Sequence, residues 1–296
     1  MSKNFAYLLT VKFYNIKSKY YNNFISLSKC KNVINCNYDN GRIINADEIE
    51  ITITDVDFYF ILESYKYEKY EIIESYSSIY DYLPKQFIEF TLQKYVNKTQ
   101  FKGIEEKQVE YAKEKNKFNS LYGMSVTNMI KDEVIFENGE WSEIPLENEE
   151  IISKLNDEEE KGFLSFAYGV WVTAHARNNL LKNVLLLDKY VIYCDTDSIK
   201  LKKGYNQNII SNYNDFVKKK INHVSKLFNI PIEKFAPKDK KGVSHMLGLF
   251  ELDEHYDKFI TQGAKKYAYE IDGKIGITVA GVPKSRCKCI KKIRRF

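Results

Sequence analysis

Two carboxylates separated by one residue form the most chemically suggestive feature of this chain. Tyr193-Cys194-Asp195-Thr196-Asp197-Ser198 lies between the apolar triplet Tyr190-Val191-Ile192 and Ile199-Lys200-Leu201, a pattern that predicts strand, acidic turn, strand. Like charges a few ångströms apart raise each other's proton affinity, so such a pair needs a cation to stay ionised. Hard oxygen donors suit Mg²⁺, with Mn²⁺ as a substitute, because these ions keep waters and bridge substrate phosphates. A pair of such ions about 3.5–4 Å apart can activate a 3′-hydroxyl and stabilise a leaving pyrophosphate. A bare Asp-x-Asp is also ordinary turn chemistry, since Asp and Thr favour turns for backbone reasons.

A second group lies upstream in Lys115-Asn116-Lys117-Phe118-Asn119-Ser120-Leu121-Tyr122-Gly123. Lys115, Asn119 and Tyr122 stand at i, i+4 and i+7, so one helical face carries a cation, an amide and a phenol. That face can serve a nucleotide: Lys for triphosphate charge, Asn for a polar contact, and the Tyr ring beneath the sugar. By spacing alone a solvated helix face is the commoner reading, since helices usually carry charge outward. The elements that must hold these groups are readable. Tyr7–Phe13 and Glu48–Ile53 predict strands, Asp39-Asn40-Gly41 a turn, and Thr54 or Asp55 a helix cap before Val56. Helices are expected over Leu83–Val96, over Glu105–Tyr122 with a left-handed stop at Gly123, over Ser165–Leu187 and over Ser211–Leu227. Residues 131–161 read as an acidic, loop-rich insertion, and Lys265–Glu270 with Lys274–Ala280 as paired strands around Asp272-Gly273.

The six-residue acidic string resembles the palm motif of family B DNA polymerases. The upstream string resembles that family's fingers motif, Lys-x-x-x-Asn-Ser-x-Tyr-Gly, and the two occur in the family's order. Thr173-Ala174-His175-Ala176-Arg177 looks like the template-contacting Thr-x-x-(Gly/Ala)-Arg element, and Lys265-Lys266-Tyr267 like the Lys-x-Tyr element that steadies the primer terminus. The resemblance, strongest to the protein-primed enzymes of phages and linear plasmids, covers about residues 5 to 284. It implies metal ligation and catalysis by Asp195 and Asp197, with Asp197 the bridging ligand. It implies nucleotide contacts from Lys115, Asn119 and Tyr122, with Lys98 and Lys102 as further triphosphate contacts, and DNA contacts from Thr173, Arg177, Lys265, Tyr267, Ser120 and Gly123.

The implied fold is α+β: a palm of antiparallel sheet with helices, helical fingers, two insertions, and a thumb largely absent. Residues 1–95 look like most of the terminal-protein-contacting insertion, 96–125 like fingers, 126–163 like a second insertion that encircles DNA for processivity and strand displacement, 164–284 like palm, and 285–296 like a basic tail. In the family the first catalytic Asp lies in an Asp-x-x-Ser-Leu-Tyr-Pro string before the first insertion, and this chain begins after that place. Glu74-Ser75-Tyr76-Ser77-Ser78-Ile79-Tyr80 lacks both the Asp and the Tyr-Pro pair. The expectation is therefore a fragment, a split-gene half or a remnant, with no exonuclease domain ahead of Met1. The implied partners are template-primer DNA, deoxynucleoside triphosphates, a terminal priming protein and a complementary polymerase fragment.

Bulk properties bound these readings. The 296 residues allow one large domain or two to three small ones. Hydrophobic residues at 44% and charged residues at 29% exclude a membrane or disordered class. The opening residues show no signal peptide or spanning run, so a cytoplasmic protein is expected. Five cysteines match no zinc spacing and are expected to be reduced, and the four histidines show no metal spacing. A net charge of +5 fits a polyanion partner. Two other classes remain open: a noncatalytic DNA-binding or replication-assembly module, and an acidic-turn metal protein unrelated to nucleic acid.

Overall fold

The computed structural model describes residues 4–128, 130–161 and 165–282, and the basic tail with Cys287 and Cys289 lies outside them. Along the chain, β1 (Phe5–Ser18), β2 (Cys30–Ile34), β3 (Asn37–Asp39) and β4 (Arg42–Thr54) precede α1 (Asp55–Ser64), β5 (Tyr65–Lys66) and β6 (Lys69–Ile79). Then come α2 (Lys85–Phe101), α3 (Gln108–Met124), β7 (Glu133–Glu137), β8 (Glu140–Ile144), α4 (Asn148–Lys161) and α5 (Phe166–Leu187). The hairpin β9 (Val191–Asp195) and β10 (Ser198–Leu201), α6 (Gln207–Phe228), α7 (Ile232–Phe235), and β11 (Lys258–Thr261), β12 (Lys266–Ile271) and β13 (Lys274–Val279) complete it. Every paired strand is antiparallel, and the fold is mixed α+β. The chain divides into two compact units: residues up to 79, 174–220 and from 248 form one, and 80–173 with 221–247 form the other.

In the first unit, β1 and β4 pair so that Leu9 faces Ile53, Val11 faces Ile51 and Phe13 faces Ile49. Strand period two puts all six on one side, where they are buried with Phe58 and Ile61 of α1. Burying each large apolar side chain contributes roughly 1.5–3 kcal/mol, so this face is the main anchor of the sheet. Helix α1 starts where the sequence predicts: the Thr54 hydroxyl accepts from the Asp57 N–H and donates to the Asp57 carboxylate. Tyr65 closes the same core, its hydroxyl accepting from the N–H groups of Phe24 and Ile25 and donating to the Ile43 carbonyl. A second core beneath the β9–β10 hairpin joins Leu180, Val184, Leu187 and Val191 with Ile199, Leu201 and Phe250.

In the second unit, Leu92 of α2 packs with Ile230 and Phe235, and α2 lies along α3. A buried polar knot fastens these two helices: Glu114 accepts from Lys94 at 3.1 Å and from Asn97 at 2.9 Å. The Asn97 bond, aided by Lys94, holds the Glu114 carboxyl below its usual range.

Two local expectations are corrected. Helix α3 runs through Gly123 to Met124, and Gly123 does not adopt positive φ; Ser125 instead ends the helix, its hydroxyl donating to the Tyr122 carbonyl. The 131–161 insertion is ordered secondary structure, a hairpin turned by Asn138 (φ 54°) and Gly139 (φ 87°) and followed by α4. Charge masked the pattern there, because the few apolar residues of the hairpin are set among carboxylates and face water instead of a core. Strand β6, which holds most of the Glu74–Tyr80 string, pairs with β1 through ten of its eleven residues, Ile73 being skipped at a bulge, and all eleven are exposed.

Candidate active site

The acidic pair sits where its local sequence places it, at the tip of the β9–β10 hairpin, but the turn is tighter than an ordinary hairpin loop. Asp195 pairs with Ser198, and the Asp197 N–H donates to the Asp195 carbonyl at 2.6 Å across Thr196. Thr196 has φ 52°, a conformation that a β-branched residue adopts only under strain. Such strain persists where the surroundings enforce it, which is characteristic of functional turns.

The surroundings are visible in three hydrogen bonds. The Tyr193 hydroxyl donates to Asp195 Oδ2 at 3.2 Å and accepts from the Lys265 backbone N–H at 2.9 Å. The Thr196 hydroxyl donates to Asp195 Oδ1 at 3.0 Å. Both oxygens of Asp195 are therefore oriented, whereas Asp197 is exposed at the tip. Burial pushes the Tyr193 phenol above its usual range, and the Asp195 charge adds to that effect, so the hydroxyl keeps its proton for this bond.

The turn opens into a cleft of about 410 Å³ whose lining also includes Asp253, Glu254, Lys200, Tyr256, Tyr267 and Tyr269. Four carboxylates thus line one small volume with a single lysine. Carboxylate oxygens are the donor type that hard divalent cations take, but among the described residues no three His, Cys, Asp or Glu side chains stand together as a metal cluster; Lys200, whose ammonium lies 5.1 Å from the Tyr256 ring, cannot by itself neutralise the four charges. The aromatic side of the cleft follows from strand alternation: the register of β11, β12 and β13 puts Phe259, Tyr267, Tyr269, Gly276 and Thr278 on one face. Tyr267 stacks on Phe259 at 5.2 Å and meets Tyr193 at the same distance. The Tyr269 ring crosses Gly276 so closely that any Cβ there would stand 2.3 Å from it, which explains the glycine in an edge strand.

Of the residues read from sequence, Asp195, Asp197 and Tyr267 line this cleft, and Lys265 (φ 55°) joins it through Tyr193. Arg177 is held elsewhere in the same unit, with Nε and Nη2 donating to the Asp57 carboxylate at 3.3 and 2.7 Å. Thr173 donates to the Gly169 and Val170 carbonyls of its own helix. In the second unit Lys115, Asn119 and Tyr122 are all exposed along α3, with Lys115 5.8 Å from the Tyr111 ring. Lys98 lies over the Phe118 ring at 4.8 Å, Lys102 caps α2, and the Ser120 hydroxyl donates to the Lys117 carbonyl. Sequence reasoning missed Asp253, Glu254, Tyr256, Tyr269 and Lys200. The adjacent Asp253-Glu254 pair was visible, but it lies in irregular chain where no periodicity predicts a neighbour.

No family model matches the chain, and no curated protein matches it. Among solved structures, Phi29 DNA polymerase complexed with primer-template DNA and incoming nucleotide substrates superposes with a TM-score of 0.63 at 17% identity, covering 96% of this chain and 45% of that one. The same polymerase in a post-translocation binary complex with primer-template DNA gives 0.61 at 16% identity, covering 97% and 45%. Its orthorhombic crystal form gives 0.61 at 17%, covering 97% and 46%. The chain therefore has a polymerase-like fold and spans under half the length of the polymerase it matches. No helix among the described residues is long and apolar enough to cross a membrane.

Proposed function

We propose that this chain is the palm-and-fingers part of a template-directed DNA polymerase of the protein-primed family B type, adding deoxynucleotides to a 3′-hydroxyl. The observation that carries this reading is the strained acidic turn opening into a four-carboxylate cleft, within a fold shared with a polymerase. Asp195 and Asp197 are the proposed metal ligands, and Asp253 and Glu254 line the same cleft without forming a three-carboxylate cluster with them. Bound there, Mg²⁺ or Mn²⁺ would favour the alkoxide of the attacking hydroxyl and offset charge on the departing pyrophosphate.

The protein's own residues supply positioning and charge, which is most of what phosphoryl transfer requires. Tyr193 and Thr196 hold the two oxygens of Asp195 in fixed directions. Lys115, Asn119 and Tyr122 are assigned to the triphosphate, the polar edge and the sugar of the nucleotide, with Lys98 and Lys102 as outlying cations. Lys265 and Tyr267 are assigned to the primer end, and Ser120, Gly123, Thr173 and Arg177 to DNA, Arg177 being already oriented by Asp57. The primer oxygen attacks the α-phosphorus, the bond to the bridging oxygen breaks, and pyrophosphate departs with the electron pair. Template-primer DNA and deoxynucleoside triphosphates are the proposed partners, with a terminal priming protein and a complementary polymerase chain as further ones.

Thermal unfolding tests this. A deoxynucleoside triphosphate with Mg²⁺ at about a hundredfold excess over Kd should stabilise the chain by roughly 2.7 kcal/mol, and Asp197→Asn should abolish the Mg²⁺-dependent part. Salt-sensitive DNA binding with no nucleotide stabilisation in either protein would replace the polymerase reading with a noncatalytic DNA-binding module.

A further inference from the structure

The segment from Lys131 to Lys161 carries twelve carboxylates against three lysines, a net charge of −9 in a chain of +5, so the remainder carries +14. Concentration of negative charge in one segment of a basic protein calls for a physical reason, and the hairpin geometry supplies one. In β7–β8 the register pairs Phe136 with Trp141 and Val134 with Glu143, which puts all four on one face. Val134 is 57% exposed, Phe136 56% and Trp141 73%, and the two rings lie 4.9 Å apart. Ile152 and Leu155 of α4 are exposed as well. Among the described residues, neither the hairpin strands nor α4 packs extensively against another element.

A two-stranded hairpin with a bare apolar face is marginal in water, and contiguous exposed apolar surface marks a site of association. The charge of the whole segment selects the partner. Glu143 shares the face of the rings, Glu133, Glu137 and Glu140 lie on the hairpin's opposite face, and Glu147, Glu149 and Glu150 follow before and within the first turn of α4. Phosphate backbones are repelled by such a surface, since DNA affinity comes mainly from neutralising phosphates with Lys and Arg. Anionic lipid is repelled for the same reason. A cationic polypeptide with apolar side chains of its own is attracted by the charge and covers the rings.

We infer that the 131–161 hairpin and helix form a docking surface for a basic, amphipathic protein segment, and not a nucleic-acid clamp. This goes beyond the catalytic reading and stands independently of it, because no residue of the cleft takes part.

The test uses the full chain labelled with 5-fluorotryptophan, which gives two ¹⁹F resonances, that of Trp141 being the one absent in Trp141→Phe. An amphipathic lysine–leucine peptide is the probe, with a glutamate–leucine peptide of the same period and single- and double-stranded oligonucleotides as competitors for the assignment. The lysine peptide should move the Trp141 resonance saturably while Trp171 stays in place, and the acidic peptide and both oligonucleotides should leave it unchanged. Replacing Glu137, Glu140 and Glu143 together by Gln, all exposed, should weaken peptide binding about tenfold without unfolding. The inference is overturned if DNA moves Trp141, if raising the protein concentration alone moves it, if no peptide does, or if Phe136→Ser binds the peptide as well as the native chain. Loss of catalysis in Asp197→Asn would leave every one of these readings unaffected.

Discussion

The N-terminal sheet and the two small sheets at the cleft are all antiparallel and rich in aromatics, yet they spend those residues in opposite ways. Around β1, β4 and α1 the rings of Phe13 and Phe58 are buried, and the Tyr65 hydroxyl has its donor and acceptors satisfied within the core. Around β9–β13 the tyrosines line an open cleft, the carboxylates gather without matching cations, and the turn that presents them is strained. Apolar burial can stabilise a fold by itself, whereas convergent like charge costs stability and persists when a ligand offsets it. The first region is built to hold together and the second to receive something.

That contrast predicts mutations of opposite sign. The largest loss should come from Phe13→Ala, about 3–5 kcal/mol by urea denaturation, since the ring is fully buried and its site cannot collapse onto a sheet. Asp57→Ala should follow at roughly 2–3 kcal/mol, because it removes the carboxylate to which Thr54 donates at the start of α1 and leaves Arg177 without its partner. Tyr65→Phe should cost about 1–3 kcal/mol by orphaning the Phe24 and Ile25 N–H groups inside the core. In the cleft the sign reverses. Thr196→Gly should stabilise the unliganded chain, by up to about 1 kcal/mol, because glycine adopts φ 52° without strain; a loss of stability there would remove the strain from the functional reading.

A further prediction is a pH dependence arising in the packed sheet. Burial, reinforced by the neighbouring Cys36, pushes the Cys30 thiol up to about 11 from its usual 9.0. The folded state therefore favours the protonated thiol. Its contribution is complete below pH 9 and is lost as the pH rises toward 11. Urea midpoints across that window should fall less steeply in Cys30→Ala than in the native chain, and parallel slopes would show that the thiol is not sheltered by the core.

How much of this was legible without coordinates depended on whether the cause was local. Thr54 as a cap, Asp39-Asn40-Gly41 as a turn, and the Val191–Leu201 hairpin with its acidic tip each rest on a few consecutive residues, so their side-chain chemistry announced them. Gly123 shows the limit of that reasoning: glycine permits a left-handed stop without requiring one, and the Ser125 hydroxyl ended the helix two residues on. The 131–161 segment read as loop although Asn138-Gly139 marks the turn of its hairpin, because its apolar residues are few, set among carboxylates and turned to water.

The amino-acid order alone determined the alternation that forms β1 and β4, the carboxylate pair at Asp195 and Asp197, and the concentration of negative charge between 131 and 161. Only the tertiary structure decided that Asp253 and Glu254 join that pair, that Tyr193 ties Asp195 to the backbone of Lys265, and that Arg177 is gripped by Asp57. The first set arises from torsions and spacings within one or two turns of chain. The second joins residues that are mostly tens of positions apart, up to 120 for Arg177 and Asp57, and such distant residues meet through the packing of whole elements, which no local pattern encodes.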